Sequence, residues 1–182
     1  MEQENPEAVA VFVSAESDSA GMRKEYFDHV RKINDVFYDQ IKIADQKAAY
    51  IFTFMIAFLI SSSDVRGVFS LRRYAADDFA FMACSAFLAV AVTVAMISAI
   101  LVVLPRRSAV STSLFWGTWQ IHRNAFRNAA DAADVDYLFG EYLTNADTLA
   151  AIAGAKYRFV GLAFRSLVVA VLAYVAVLAL AP

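Results

Sequence analysis

A single cysteine, Cys84, rules out an intrachain disulfide, so no covalent staple holds this chain together. Only two histidines, His29 and His122, occur, with no HExxH and no second cysteine, which leaves no ligand set for a metal centre. GxSxG, P-loop and GxGxxG patterns are also missing, and an enzyme is the poorer expectation. Asp77 and Asp78 form a carboxylate pair, but they stand at the edge of an apolar run, where solvation explains them. Lys and Arg number 16 against 18 Asp and Glu, a net charge of −2, so no global positive field points to nucleic acid. Apolar side chains are in excess. They make up 60% of the chain, against about 45–50% in soluble domains. With 15 Phe and 8 Tyr among them, a disordered chain is excluded.

The excess is collected into runs. Phe79 to Leu104 carries no charge and, as a helix, reaches about 39 Å, enough to cross a hydrocarbon core of about 30 Å. Ala48 to Ser63 is uncharged over about 24 Å, a short span that Lys47 lengthens by snorkelling. Phe159 to Pro182 is apolar except for Arg165, which lies about one to two turns in, within reach of the interface. The expected fold is an all-α membrane protein with about three transmembrane helices. Its first and third are extended into a small cytoplasmic helical bundle.

Segment by segment, residues 1–20 read as a mobile cytoplasmic N-terminus and 21–47 as a cytoplasmic stalk helix. Residues 48–63 form the first span, 64–78 an external loop and 79–104 the second span. Residues 105–158 are a cytoplasmic helical segment and 159–182 the third span. The opening MEQENPE is acidic, and the apolar stretch after it is too short for a signal peptide. Arg23, Lys24, Arg31, Lys32, Lys42 and Lys47 precede the first span, and Arg106, Arg107, Arg123, Arg127, Lys156 and Arg158 lie between the second and third. The 64–78 loop holds only Arg66, Arg72 and Arg73, so the positive-inside rule places the N-terminus and 105–158 in the cytoplasm.

Tyr26, Val30, Ile33, Phe37, Ile41, Ala44 and Ala48 recur at three- and four-residue steps, one apolar helix face. Asp28 with Arg31 and Lys32, and Asp39 with Lys42, have spacings that support the polar side. One helix from about Gly21 to Ser63 is therefore predicted. A second long helix is expected to start at Asn145 as its cap, after an acidic segment interrupted near Gly140. Ala91, Ala95 and Ala99, and Ala163, Ser166, Ala170 and Ala173, form small-residue stripes suited to close packing, within one chain or between copies.

Lys47, Arg106, Arg107, Lys156 and Arg158 sit at span ends, where they can meet a phosphate or simply anionic lipid. Phe115, Trp116, Trp119, Tyr137 and Tyr142 are candidates to stack a base. Asp45 is costly at a span end unless paired. Lys47 points elsewhere on the helix, so Arg106 or Lys156 is the better partner.

IKIADQKAAYIFTF at 41–54 resembles the Asp-x-Lys-Ala approach to the first membrane helix of Pycsar transmembrane effectors. VVLPRR (102–107), LFWG (114–117), EYL (141–143) and the Lys156–Tyr157 pair follow in that family's order, over roughly residues 25–182. The matching positions are Asp45, Lys47, Ala48, Pro105, Arg106, Phe115, Gly117, Tyr142, Lys156 and Tyr157. Asp45, Lys47, Arg106, Phe115, Tyr142, Lys156 and Tyr157 among them, with Arg107 and Trp116 beside them, are the candidate ligand-binding or gating residues. The resemblance implies a bacterial inner-membrane antiphage effector without enzymatic activity. In that family a companion pyrimidine cyclase makes cyclic CMP or cyclic UMP, and the effector responds by impairing the membrane and killing the cell. It implies the cyclic nucleotide as activating ligand and no other cofactor. Membrane lipid and further copies of the chain are the expected partners. The competing reading is a non-enzymatic membrane scaffold or regulatory subunit that recruits a cytoplasmic partner.

Overall fold

The computed structural model describes residues 6–75, 78–105 and 112–180, with side chains from Gly21 onward. Between Met22 and Ser61 no proline or glycine breaks the chain, and the backbone is one helix, α1, Pro6–Ser61. It starts well before Gly21, in the stretch expected to be a mobile tail, with Pro6 at the first helical position where its missing N–H costs nothing. The remaining elements are α2 (Ser63–Gly67), a 3-10 turn (Leu71–Ala75), α3 (Phe79–Val103), α4 (Trp119–Asp131) and α5 (Val135–Leu180). No strand occurs among the described residues.

Local chemistry sets the boundaries. Asp78 caps α3 by accepting from the amides of Ala80 and Phe81 at 2.9 and 3.3 Å, and Pro105 follows the helix end. Helix α4 closes on Ala133, which takes the left-handed conformation (φ 51°). The Asp134 amide then donates to the Ala129 carbonyl and that of Ala133 to the Ala130 carbonyl, a Schellman ending. Asp134 immediately caps α5 by accepting from the Tyr137 amide at 3.0 Å. This corrects two expectations: Asn145 is not a cap, and Gly140 does not interrupt the helix. A helical glycine costs only about 1 kcal/mol, too little to stop a long packed helix.

The chain divides into two compact units, Met1–Tyr38 with Ser108–Ala150, and Asp39–Arg107 with Ala151–Pro182. Helices α1 and α5 contribute to both. In the second unit many buried positions are small, Ala44, Ala48, Ala91, Ala95, Ala99, Ala163, Ala170 and Ala173, beside valines and the larger Ile51, Met55 and Leu88. Phe54, Phe87, Ile97, Phe164, Leu172 and Val175 are exposed. Small residues inside and large apolar residues outside suit a bundle whose solvent is lipid. Among the described residues three helices are long and apolar enough to cross a membrane, within Gly21–Ser61, Phe79–Val103 and Val135–Leu180. The alanine stripes of α3 and α5 are used inside this unit, which accounts for them without a second copy.

The connection after α1, expected as a plain loop, is folded around Arg73. Its guanidinium donates to Ser85 Oγ (3.1 Å) and the Asp64 carbonyl (3.0 Å), lies 3.6 Å from the Asp64 carboxylate and covers the Phe81 ring at 4.6 Å. In the first unit the α1 stripe buries Val30 and half-buries Ile33 and Phe37, while Tyr26 is exposed and Phe27 turns inward instead. Asp28, Arg31, Lys32, Asp39 and Lys42 form none of the ion pairs found among the described residues.

Replacing Ala133 by Gly removes the left-handed strain, and Gly140→Ala adds helix propensity where no atom lies within 4 Å of the new Cβ. Each substitution is expected to stabilise the protein by roughly 0.5–1 kcal/mol. A rise in thermal midpoint of the detergent-solubilised chain checks both.

Candidate functional site

In the second unit α1 and α5 are joined by side chains, Asp45 to Lys156 and Gln40 to Tyr157, and Ala44, Ala48, Ala153 and Val160 close by in sequence are buried. Small side chains let helix backbones approach, and the long side chain of Lys156 is buried with them, only 5% exposed. A buried ammonium is tolerable only when paired. Lys156 Nζ donates to Asp45 Oδ1, the partner that the sequence favoured over Lys47. Beside them the Tyr157 hydroxyl donates to Gln40 Oε1 at 2.6 Å, and Lys47 Nζ lies 5.5 Å from the centre of the Tyr157 ring. Asp45, Lys47, Lys156 and Tyr157 thus form one polar layer, with Gln40 a member that no charge or aromatic pattern marked. Arg106 and Arg107 lie outside the described residues.

The first unit has a second polar contact between the same helices. Asn34, 6% exposed, donates from Nδ2 to the carbonyls of Val30 (2.8 Å) and Tyr142 (2.9 Å). Its Oδ1 accepts from Asn145 Nδ2 at 2.7 Å. The Thr112 hydroxyl donates to Asn145 Oδ1 at 3.4 Å, so Asn145, expected as a cap, ties α5 sideways to α1 and to the start of the 112–118 turn. The Ser113 amide donates to the Glu141 carboxylate, and Thr118 Oγ1 to the Thr112 carbonyl at 2.7 Å. Hydropathy hid Asn34, because a polar residue on an apolar stripe reads as an interruption.

Candidate aromatic residues separate. Tyr142 packs edge-on against Phe27 at 5.4 Å. Phe115 and Trp116 lie together, ring centres 5.7 Å apart, with Trp116 87% exposed. A Cβ on Gly117 would come within 2.8 Å of the Phe115 ring, so the glycine of LFWG makes room for that ring. The Tyr137 hydroxyl is buried without a hydrogen bond of good geometry. Burial first, and then the Glu141 carboxylate, push its phenol above the ordinary value, with Ser113 partly opposing them.

A cleft of about 400 Å³ opens in the first unit between Met22, Arg23, Tyr26, Phe27, Val135, Asp136 and Phe139. Arg23 and Asp136 face each other at 3.7 Å, and both are well exposed. The volume falls within the range of small-molecule sites, and three aromatic rings with one cation line it. No sequence signal marked it, since its two walls lie more than a hundred residues apart in the chain.

The architecture is that of an all-α membrane protein with three spanning helices, and neither fold nor site geometry points to an enzyme. The family model of the Pycsar effector protein domain matches residues 29–181. The chain belongs to the Pycsar effector family, and its role is that of a Pycsar antiphage effector. No curated protein and no solved structure matches it.

Asp45→Ala leaves the buried Lys156 ammonium unpaired. Breaking a fully buried pair costs about 3–5 kcal/mol, and the partial exposure of Asp45 lowers this to about 2–3 kcal/mol. Adding Lys156→Met is expected to recover most of the loss, a coupling that a double-mutant cycle on thermal unfolding in detergent measures.

Proposed function

We propose that this protein is a bacterial inner-membrane effector that binds cyclic CMP or cyclic UMP made by a companion pyrimidine cyclase. In response it impairs the membrane, causing abortive infection. Family membership supports this reading, and the observation that carries the sensing step is the aromatic cleft beside Arg23. A pyrimidine ring stacks on Tyr26, Phe27 or Phe139, and the cyclic phosphate pairs with the guanidinium. Arg23 gives up little for this, because an exposed ion pair with Asp136 is worth about 0–1 kcal/mol. No other cofactor enters the scheme, and nucleic acid is not a partner.

The N-terminus and residues 105–158 lie in the cytoplasm, where the nucleotide is made. Lys and Arg cluster in those segments, whereas Arg73 of the 64–78 connection is already held by Asp64. Ligand binding acts through unequal affinity for a quiet and an active arrangement. Helices α1 and α5 carry both cleft residues and membrane-span residues, so a shift at the cleft is passed along continuous backbone. Further copies of the chain and membrane lipid complete the active form.

A second reading, a scaffold that recruits a cytoplasmic partner, is favoured by α4 alone. None of its residues is buried, and Ile121 is 76% exposed.

Calorimetric titration of the full chain in detergent with cyclic CMP and cyclic UMP tests the proposal, and dye-loaded vesicles bearing the protein are expected to leak on addition of the same ligand. Stacking is worth about 1–3 kcal/mol per base, so Tyr26→Ala is expected to weaken binding about tenfold or more. Arg23→Ala is expected to weaken it as well. Absence of binding by both nucleotides overturns the reading, and a stable pulled-down partner without leakage favours the scaffold.

A further inference from the structure

Helices α1 and α5 run parallel in the second unit with a fixed register. Asp45 pairs with Lys156 and Ser62 with Tyr174, separations of 111 and 112 residues. This register puts Arg165 level with Thr53 and Phe54. From there Asp45 lies about 13 Å below and Ser62 about 12 Å above along the helix axis. The apolar part of α1, Ala48 to Ser61, is only about 21 Å long, shorter than a hydrocarbon core of about 30 Å. Any membrane that α1 crosses therefore holds Arg165 near mid-depth. The sequence alone places it near an interface, because the apolar run of α5 counted by itself begins at Phe159. The paired helix corrects that depth.

Arg165 has no compensation among the described residues. It is exposed and makes no hydrogen bond or ion pair among the described residues. The buried seam of α5 is Val160, Ala163, Ala170, Ala173 and Val177, and helical spacing puts Arg165 on the opposite side. Its three-methylene stem is too short to carry the charge to either end of the span. Arginines at such depth face a bundle interior or a water-filled cavity, and the described residues of a single chain offer neither. Arg158, also exposed, sits two turns earlier on the same face. Between them Gly161 has nothing within 4 Å of a built Cβ, so a second helix has room to approach.

We infer that Arg165 lines a water-filled path between copies of this chain, and that the path prefers small anions. No carboxylate lies in the apolar stretches of the three spans, so the arginines of neighbouring copies meet as a positive ring with water and anions as their counter-charge. The inference rests on the proposed function in one respect, that the membrane becomes permeable.

The test uses the full chain in native membranes and planar bilayers. In a Cys84→Ala background, Arg165→Cys is expected to react with a charged, membrane-impermeant methanethiosulfonate at least tenfold faster than Phe87→Cys on the exposed face of α3. Copper phenanthroline is expected to link the Arg165→Cys chains into dimers. Under a potassium chloride gradient with cyclic CMP or cyclic UMP, the wild-type reversal potential is expected to lie on the chloride side. Arg165→Lys keeps that preference and Arg165→Gln abolishes it. Labelling no faster than at Phe87→Cys, or a chloride preference unchanged in Arg165→Gln, overturns the inference. Fast labelling and cross-linking without conductance under either nucleotide overturns the membrane-impairing function instead, and leaves the water-filled site between copies standing.

Discussion

The structure depends on one constraint, the burial of Lys156 between two parallel helices. An ammonium removed from solvent must be met by a carboxylate, and Asp45 is the group that meets it. That pairing fixes the register of α5 on α1 in the second unit, and Ser62 with Tyr174 repeats it nearly unchanged. Alanines at Ala44, Ala48, Ala153 and Ala163 bring the backbones close enough for the pair to form. In lipid, where burial of apolar surface drives little association, such a polar pair and close packing set the alignment that hydrophobicity sets in water.

Asn34 and Asn145 play the equivalent part in the first unit, with neutral groups in place of charges. Each amide is engaged on both its oxygen and its nitrogen, so the contact specifies one alignment of the helices without the desolvation cost of an ion pair. A cleft lined by Tyr26, Phe27, Phe139 and Arg23 belongs to the same unit and to the same two helices. In the proposed function the receiving surface lies on elements whose alignment is discrete, because closely packed interfaces switch between arrangements and do not deform continuously. The polar contacts supply that discreteness.

Charge zoning and apolar runs made the three spans legible, since the hydrocarbon thickness is a length that a sequence can be measured against. The same length rule fails where two helices share one membrane. Counted alone, α5 begins its apolar run at Phe159 and places Arg165 near an interface. Only α1, held level by Asp45 and Lys156, sets the residue beside the middle of the apolar stretch Ala48 to Ser61. Caps were not legible: Asp78, which sequence alone explained by solvation, caps α3, and the cap expected at Asn145 is absent because its amide is drawn sideways by Asn34.

By itself, the sequence determined the all-helical class, the number of spans and the family, because each follows from local composition or from short ordered motifs. It also excluded Lys47 as a partner for Asp45, since helical spacing turns it away, and left Arg106 or Lys156, between which the fold chose Lys156. Tertiary structure alone decided which aromatic residues stand together, that Gln40 and Asn34 are working members of the polar contacts, and that Arg23 and Phe139 line one cleft. Those facts depend on the side-by-side placement of α1 and α5, whose contacts join residues more than a hundred positions apart. No periodicity along a single helix records what its neighbour brings.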